Sequence, residues 1–420
     1  MDDGFVPGLR LAGEFYAAVV RPLLGQAFPG LRYAAALIGA GSEVLGFDTD
    51  RSTDHDWGPR LQLFLGEEDA GRLGHDVDEV LAGGMPDSFG GYGVRFGVGR
   101  DPGSGVRHRV EVFGLGGWLA DTLGFDPRAG ARVPDWLGAP WQRLAEVTGG
   151  AVFEDRTGEL TRVRSALSWY PRDVWYYVLS CQWSRIAEEE AFPGRCAEAG
   201  DELGSAVVTA RLARDLMGLW LLMNRRYPPY SKWLGSAFAA APGSGELGRE
   251  LRAALAASGW PDRERHLARA FVLTAEAHNR LGLTEPLDPA TRLYYSRPFQ
   301  VLDAGRFAAA LTGVITDPGV RARPPIGAAS QFLDSTPALG SLRYPRAVIG
   351  AEPRLGRLPL SDRDMSVAGV RDYHDLLLGY QAVSGVTMSA APDSCGGRGM
   401  RRLWMSLLLV PVIGVAAPAA

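Results

Sequence analysis

The pattern of apolar residues changes near Pro134, and this change limits the folds that the chain can adopt. Before it, short apolar runs of strand length alternate with glycine-rich breaks, as in LQLFL at 61–65 between Pro59 and Gly66. After it, longer stretches repeat apolar residues at helical spacing. We therefore predict an α+β chain, with a strand-containing domain first and a helical-bundle domain second.

The opening part contains one predicted helix and several predicted strands around a tight turn. Residues 9–28 have helical spacing, and Pro22 is expected to bend or end that helix. AAALIG at 34–39 is predicted to be a buried strand that leads into a Gly-Ser turn, and a further strand is predicted near 94–98. VRHRVEVFGL alternates with period two, which places Val106, His108, Val110 and Val112 on one face and Arg107, Arg109, Glu111 and Phe113 on the other.

The later part is predicted to be mainly helical, with helices at 142–148, 173–190, 201–226 and 262–282. Apolar spacing in the third helix predicts an inward stripe of Leu203, Val207, Leu212, Leu216, Leu219 and Met223. Asp173 and Asp201 are predicted N-caps, and the two prolines of YPPY at 227–230 end the third helix. APGSGELG at 241–248 is predicted to be a loop between helices.

These patterns divide the chain into four predicted segments: an α/β domain at 1–133, a helical bundle at 134–310, an extension packed on the bundle at 311–385, and a disordered tail at 386–420. The uncharged stretch from Leu403 to Ala420 reaches the lower edge of a membrane span. Prolines and a glycine interrupt it, so a disordered tail is favoured over a tail anchor in contact with a membrane. No secretion signal opens the chain, and a cytoplasmic location is expected.

The bulk composition is that of a globular protein. The chain has 420 residues, 46% of them hydrophobic and 22% charged, which is enough for two or three domains. Its net charge of -4 argues against general nucleic-acid binding, which needs a basic face. Its three cysteines have no CxxC spacing and predict neither a disulfide framework nor a zinc site.

Lysine is almost absent from the chain. Lysine and arginine total 44, and Lys232 is the one lysine. A GC-rich genome, whose codons favour arginine, accounts for this count by itself. Alternatively, Lys232 lies at a position that needs the compact point charge of an ammonium, which a planar guanidinium cannot replace.

The stretch GAGSEVLGFDTDRSTDHDW places Asp54 and Asp56 two residues apart, beyond the turn at Gly41 and Ser42. On a strand, this spacing points both carboxylates to one face, where they can bind one hard cation such as Mg²⁺. Glu111, an acid between apolar residues of a predicted strand, is the candidate third ligand of a metal site for phosphoryl transfer. Glycine and serine at the turn allow backbone amides and a hydroxyl to approach a phosphate closely.

Each part of this pattern also has a simpler explanation. Asp-X-Asp near serine and threonine is common in solvated turns, where the carboxylates cap backbone amides. Glu111 can pair with Arg107 or Arg109 on the same strand face, and His55 is expected to pack or bond locally. The combination of a strand, Gly-Ser, a short loop, Asp-His-Asp and a later strand acid favours the metal site.

This order of features resembles the nucleotidyltransferase superfamily related to DNA polymerase beta, whose mark is a Gly-Ser turn followed by Asp-X-Asp. Gly41, Ser42, Asp54 and Asp56 match that mark, and Glu111 fits its third acidic position. More narrowly, the chain resembles a bacterial family, DUF4037, whose members join such an amino-terminal domain to a helical one. The segments that carry this resemblance are GSEVLGFDTDRSTDHDWGPRLQLFL, AVFEDRTGELTRVRSALSWYPRDVWYYVLSCQW, RRYPPYSKWLGSAF and YYSRPFQVLDAGRF, within residues 10–330.

The resemblance implies a small mixed-sheet domain that transfers a nucleoside monophosphate, with AMP from ATP as the first expectation, to a hydroxyl acceptor with the help of Mg²⁺. Asp54 and Asp56 would hold the metal ions, and Glu111 would share one of them or help to activate the acceptor hydroxyl. Ser42 would contact the β- and γ-phosphates beside Gly41. Lys232 would reach the triphosphate as a point charge.

Other residues near Lys232 have two open interpretations. Arg225 and Arg226 can contact the triphosphate, but basic residues at the end of a helix also suit its dipole. Tyr227, Tyr230 and Trp233 can frame a base or an acceptor ring, and they can equally pack in the core.

Two further functions stay open from the sequence. One is a catalytically silent nucleotide-binding regulatory or toxin–antitoxin-type module on the same fold, against which the presence of both Asp54 and Asp56 argues. The other is a phosphotransferase or nuclease that uses the same acids. GxxxxGK[ST], HExxH and GxSxG motifs are missing from the sequence, so P-loop, zincin and α/β-hydrolase functions are not expected. The acceptor, a small molecule or a macromolecule, is not identified by any motif.

Overall fold

A computed structural model describes residues 5–54, 57–97 and 106–335, apart from the side chains of Asp54, Phe96 and Val106. The predicted tail at 386–420 and the greater part of the predicted extension lie outside the described residues.

The described strands are short, and four of them form the main sheet. They are β1 (Tyr33–Leu37), β2 (Leu61–Leu65), β3 (Ser88–Phe89), β4 (Tyr92–Gly93), β5 (Arg95–Gly97), β6 (Val106–His108), β7 (Val110–Gly114), β8 (Ala151–Asp155), β9 (Arg292–Tyr294) and β10 (Arg297–Val301). The main sheet has the order β7-β2-β1-β8. It is mixed, because β1 is antiparallel to β2 and β8, whereas β2 and β7 are parallel.

Helices make up most of the described chain after the sheet. They are α1 (Gly8–Phe15), α2 (Arg21–Ala27), α3 (Glu67–Gly84), α4 (Leu115–Leu123), α5 (Val133–Gly138), α6 (Trp141–Thr148), α7 (Glu159–Ala166), α8 (Arg172–Glu189), α9 (Phe192–Glu198), α10 (Glu202–Met223), α11 (Ser231–Ala239), α12 (Ser244–Ala256), α13 (Trp260–Arg280), α14 (Gly305–Val314), α15 (Pro318–Arg321) and α16 (Ala329–Phe332). The predicted α+β class, a mixed sheet followed by a largely helical region, is confirmed.

The two faces of the main sheet join different cores, as the alternation of side chains along a strand requires. On one face, a cluster formed with the first three helices contains Phe15, Tyr33, Ala35, Leu63, Val77 and Val110. On the other face, a larger cluster that continues through the helical region contains Ala34, Ala36, Phe64, Leu144, Trp183 and Leu216. The sheet is therefore packed directly onto the helices that follow it.

Most predicted elements are present, and the exceptions have local causes. The first predicted helix is divided by a π-helical turn at Tyr16–Val20, which directly precedes Pro22 in the first turn of α2. The predicted loop at 241–248 is wrong from Ser244 onward, because α12 begins there after Gly243 in a left-handed conformation. β8 was not predicted, although it pairs with β1 along the sheet.

Two predictions about helix faces and ends are wrong. Leu203 and Val207 of α10 are 77% and 60% exposed, so the inward stripe begins only at Leu212. Asp201 is the N-cap of α10, as predicted, and accepts a hydrogen bond from Gly204 N at 2.7 Å. Asp173 does not cap α8; its carboxylate instead accepts hydrogen bonds from the backbone after α14, at Thr316 and Asp317.

The domain boundaries stay a prediction. The boundary after residue 133 would fall within α5, and β8 of the main sheet lies beyond it. The boundary after residue 310 would fall within α14. Among the described residues, no helix is both long enough and apolar enough to span a membrane.

Candidate functional site

The chain leaves β1 through a turn whose shape depends on glycine. Gly39 N donates a hydrogen bond to Glu146 O of α6 at 2.9 Å, which ties the start of the turn to the helical region. Gly41 has φ +148°, and a Cβ at this position would lie 2.3 Å from Arg60 Nη2. No other residue fits there without moving that guanidinium, so the glycine predicted from the Gly-Ser pattern has a structural requirement.

A buried ion pair lies directly beneath this turn. The Glu43 side chain is 2% exposed, and its Oε1 accepts hydrogen bonds from Arg60 Nε at 2.8 Å and Nη2 at 2.6 Å. Arg60 Nη2 also donates to Ala40 O at 2.6 Å. The ion pair therefore fixes the backbone of the turn through the hydrogen bond to Ala40 O. The half-buried Ser42 hydroxyl makes no hydrogen bond with another described residue, and it stays available to a ligand.

The loop that follows is tied at two further points before it reaches the predicted acidic pair. Asp48 Oδ2 accepts hydrogen bonds from Gly8 N at 2.7 Å and from Trp57 Nε1 at 3.0 Å, which joins both ends of the loop to α1. Between these points, Asp50–Asp54 forms a 3₁₀ helix in which Thr53 Oγ1 donates to Asp50 O at 2.7 Å. The loop is thus a folded connection with its own hydrogen bonds.

The structure corrects the backbone geometry assumed for Asp54. It lies at the end of the 3₁₀ helix and not on a strand, so the period-two argument for its direction does not hold. The side chain of Asp54 and the residues His55 and Asp56 lie outside the described residues. A shared metal ion at Asp54 and Asp56 therefore stays a prediction.

Glu111 lies on β7, the edge strand of the main sheet, as predicted for a strand acid. Its register partner on β2 is Gln62, whose own partner on β1 is Ala36, so these three residues form one row across the sheet. The buried Gln62 accepts a hydrogen bond from Ile38 N at 3.1 Å through its Oε1. This row of residues therefore lies at the end of the sheet where β1 leads into the turn.

The carboxylate of Glu111 is exposed, and within the described part of the chain it makes no hydrogen bond or ion pair. The pairing with Arg107 or Arg109 that the sequence allowed is not seen there. An exposed, unpaired carboxylate at this end of the sheet is free to bind a cation or accept a proton.

The start of α11 packs against the loop after the turn. Trp233 stacks on Phe47 with ring centroids 5.3 Å apart, and Lys232 Nζ lies 4.8 Å from the centre of the Trp233 ring. Phe47 N in turn donates to Ser42 O at 2.9 Å. The structure thus brings the segment of Lys232, which is 190 positions further along the chain than Ser42, next to the predicted phosphate turn.

The neighbouring basic and aromatic residues divide between core and surface. Arg225 lies over the Trp175 ring at 4.6 Å, and Arg226 Nη1 donates to Ala240 O at 3.0 Å, so both have structural contacts near the end of α10. Tyr227 is buried and its hydroxyl donates to Leu167 O at 2.9 Å, which makes it a core residue. Tyr230 and Trp233 are only partly buried.

Several residues that organise this site were not identified from the sequence. Glu43 and Arg60 are 17 positions apart, and nothing in the periodicity joins them. Gln142 and Glu146 of α6 connect the turn to the segment before α11, because Gln142 Oε1 accepts from Tyr230 N at 3.0 Å and its Nε2 donates to Glu146 at 2.8 Å. The one sequence signal that could have pointed to the pair is the acid directly after Ser42, which stands just before Val44 and Leu45.

The donor chemistry of the predicted metal site suits Mg²⁺, because carboxylate oxygens are the ligands that this ion prefers. Glu111 is the one predicted ligand whose side chain is described, and its free oxygens fit this use. Within the described ranges, no group of three or more His, Cys, Asp and Glu side chains is arranged to hold a metal.

A comparison with protein families assigns part of the chain. Residues 136–234 match the model of a domain of unknown function, DUF4037. The chain contains a DUF4037 domain. The resemblance read from the sequence is confirmed over this range, which runs from α5 to the first turn of α11 and includes Lys232. The Gly-Ser turn and the acids at 54, 56 and 111 precede the DUF4037 match.

Among curated proteins, none matches this sequence. A solved structure of a nucleotidyltransferase-like protein from Exiguobacterium sibiricum 255-15 is similar, with 11% sequence identity and a TM-score of 0.27 over 72% of this chain and 90% of that chain. A likeness this weak carries no information about activity, so a function for the chain that contains this DUF4037 domain has to be derived from its own residues.

Proposed function

We propose that the chain is a Mg²⁺-dependent nucleotidyltransferase that moves AMP from ATP to a hydroxyl acceptor. The observation that carries this proposal is a gathering of groups at one end of the main sheet. Three features lie where β1 ends and β2 begins: the turn at Gly41 and Ser42, the 3₁₀ helix that ends at Asp54, and Glu111, whose carboxylate has no partner within the described part of the chain. Such a site offers both phosphate-binding and cation-binding groups.

The phosphates of the nucleotide would bind at the turn. The Glu43–Arg60 pair fixes the backbone there, and Ser42 has an unused hydroxyl to donate to a phosphate oxygen. Lys232 is in the first turn of α11, where backbone N–H groups have no partner within the helix and the helix dipole favours an anion. Its ammonium would neutralise a triphosphate oxygen as a point charge.

The three acids would serve the reacting end of the nucleotide. Asp54 and Asp56, with Glu111, would hold Mg²⁺, which when bound stabilises charge on the attacking and leaving oxygens. A bond forms between the acceptor oxygen and the α-phosphorus, and the bond to the pyrophosphate oxygen breaks. The proton of the acceptor hydroxyl goes to the Glu111 carboxylate if Asp54 and Asp56 hold the ion without it, and to solvent if Glu111 is the third ligand.

The proposal is tested by nucleotide binding and turnover in acid variants. We expect the parent to bind Mg-ATP, and Asp54→Asn and Asp56→Asn each to weaken that binding at least about tenfold, because an amide cannot replace a charged metal ligand. Binding is measured by isothermal titration calorimetry with and without EDTA, and folding by circular dichroism.

Asp50→Asn is the matched control, because Asp50 begins the same 3₁₀ helix and uses its Oδ1 only to accept from Arg51 N at 2.9 Å, which asparagine can also do. It should bind Mg-ATP like the parent. A folded D54N/D56N double variant with parental affinity would refute the metal role. Metal-dependent binding without transfer of labelled AMP to any component of a cell extract would favour the silent nucleotide-binding module.

A further inference from the structure

A polar cleft opens in the helical region beside the proposed nucleotide site. It lies between α6, α8, α10, the segment before α11, and α16, and its space, counted together with the solvent at its mouth, is about 600 Å³. Its walls and floor carry arginine, glutamine, aspartate, serine and tyrosine side chains, so a polar ligand is indicated.

The floor of the cleft is a network of hydrogen-bonded, buried side chains. Gln182 Nε2 donates to Asp215 Oδ1 at 3.2 Å, and Gln182 Oε1 accepts from Gln331 Nε2 at 3.0 Å. All three side chains are buried, at 3%, 7% and 5% exposure for Gln182, Asp215 and Gln331. Gln182 Nε2 and Gln331 Nε2 also donate to the backbone oxygens of Asp215 and Val178, so these amides are largely satisfied within the protein and a ligand has to find its strong contacts elsewhere.

Two weakly paired arginines can supply the strong contacts to a ligand. Arg185 approaches Asp215 only at 3.4 Å through Nε and Nη2, which is beyond a good N–H···O distance. Arg214 has one ion pair among the described residues, at 3.6 Å to Asp334, whose side chain is 78% exposed. Each guanidinium therefore keeps N–H donors without a close partner, and both residues line the cleft. Carboxylate and phosphate are the groups that such donors bind in a bidentate manner.

Hydrogen-bonded residues of α6 connect the wall of the cleft to the turn of the proposed nucleotide site. Gln142 and Tyr230 form part of its wall and are hydrogen-bonded to each other. Glu146, whose backbone oxygen holds Gly39, is one turn further along α6 than Gln142, about 6 Å along the helix axis. The hydroxyl of Tyr230 is protonated at neutral pH, as for any tyrosine, and burial raises its pKa further.

We propose that this cleft binds the acceptor of the transfer reaction, and that the acceptor is a hydroxylated small molecule with a carboxylate or phosphate group. Arg185 and Arg214 hold the anionic group, and the wall of Gln142 and Tyr230 directs the hydroxyl end toward the turn. The role as acceptor site rests on the proposed function, whereas binding of the anion does not.

The anion site is tested without nucleotide or metal. Saturation-transfer NMR is recorded with four probes of similar size: D-glycerate, glycerol 3-phosphate, glycerol and ethanolamine. We expect the two anionic probes to bind, one of them more tightly, and glycerol and ethanolamine to bind at least about tenfold more weakly, because each charge-assisted pair contributes strongly. The tighter anionic probe identifies the carboxylate or the phosphate class.

Variants then locate the site. Arg214→Gln should weaken the preferred anion about tenfold or more, and Arg185→Lys, which keeps the charge but loses the planar fork, should weaken it less. Arg211→Gln is the matched control, since Arg211 is one turn earlier on α10 and pairs with Glu189 outside the cleft. Equal binding of glycerol, preference for ethanolamine, or parental anion binding in a folded R214Q variant would overturn the proposal.

The two proposals fail separately. Anion binding in a chain that binds no Mg-ATP would refute the nucleotidyltransferase and leave an anion cleft. Intact Mg-ATP binding in a chain whose cleft prefers no anion would refute only the acceptor class proposed here.

Discussion

At the scale of single residues, the turn after β1 is held by side chains that do not touch the proposed substrate. Gly41 leaves room for the Arg60 guanidinium, and Arg60 neutralises the buried Glu43 while bonding to Ala40 O. Loss of either charge would leave the other buried without a partner, which is far more costly than loss of an exposed pair. The predicted phosphate-binding residues are thus supported by an ion pair beneath them.

The single lysine allows a direct test of the phosphate role assigned to Lys232. An amine-selective reagent labels only Lys232 and the amino terminus of the chain. We expect Mg-ATP at ten times its dissociation constant to slow labelling of Lys232 roughly tenfold, because only the unoccupied fraction stays reactive. Peptide mass spectrometry measures both sites, and the amino terminus is the internal control. Equal labelling of Lys232 with and without Mg-ATP would argue against a phosphate contact.

At the scale of elements, α10 shows why apolar spacing misplaced one helix face. The buried positions of its first half are Ser205 and Thr209, and Arg263 of α13 donates to Ser205 Oγ at 2.7 Å. This polar contact turns the small polar side inward, so Leu203 and Val207 face outward. From Leu212 onward the apolar stripe and the buried face coincide.

This rotation predicts unequal effects of the same substitution on one helix. Leu212→Ala should lower the free energy of unfolding by about 2–5 kcal/mol, because it removes a fully buried side chain and leaves a cavity. Leu203→Ala should change it by less than about 0.5 kcal/mol, since Leu203 is already exposed. Urea denaturation followed by tryptophan fluorescence compares the two. Similar losses in both variants would mean that the first half of α10 is buried in solution.

At the scale of the whole molecule, the larger core joins the sheet to the helices through aromatic residues. Trp183 of α8 is fully buried, stacks on Phe307 of α14 at 4.7 Å, and donates its indole N–H to His278 Nδ1 of α13 at 3.1 Å. Burial lowers the pKa of His278 to about 4, and the Trp183 contact requires the neutral ring. The core therefore depends on a histidine that is uncharged in the folded state.

This histidine makes stability dependent on pH in a stated direction. The unfolded chain takes up a proton at His278 below about pH 6.5, whereas the folded chain does not until about pH 4. The free energy of unfolding should therefore decrease by up to about 3 kcal/mol as the pH falls from 6.5 to 4, and His278 should cause no further decrease below pH 4.

The measurement is urea unfolding at pH 7 and pH 4.5 for the parent and for His278→Gln. Glutamine can still accept the Trp183 N–H but does not titrate, and the other acids are common to both proteins. The parent should lose more stability than the variant between these pH values. The same loss in both would show that His278 does not titrate as its burial requires.

The sequence by itself determined what depends on neighbouring residues. The apolar run of β2 and the apolar spacing of α6, α8 and α13 indicate which side chains of each segment are buried, and these elements lie where they were predicted. The Gly41-Ser42 turn and the strand position of Glu111 were also readable, because tight turns and alternating strands have local residue requirements.

Tertiary structure alone decided which distant segments meet. β8 pairs with β1, and Glu43 forms an ion pair with Arg60. Ser205 of α10 contacts Arg263, and the stacking of Trp233 on Phe47 places Lys232 near the loop after Ser42. None of these partners is specified by periodicity, because each contact forms only when elements far apart in the chain pack in one core. The polar cleft has the same origin, since its arginines, glutamines and tyrosine come from separate helices that share no sequence signal.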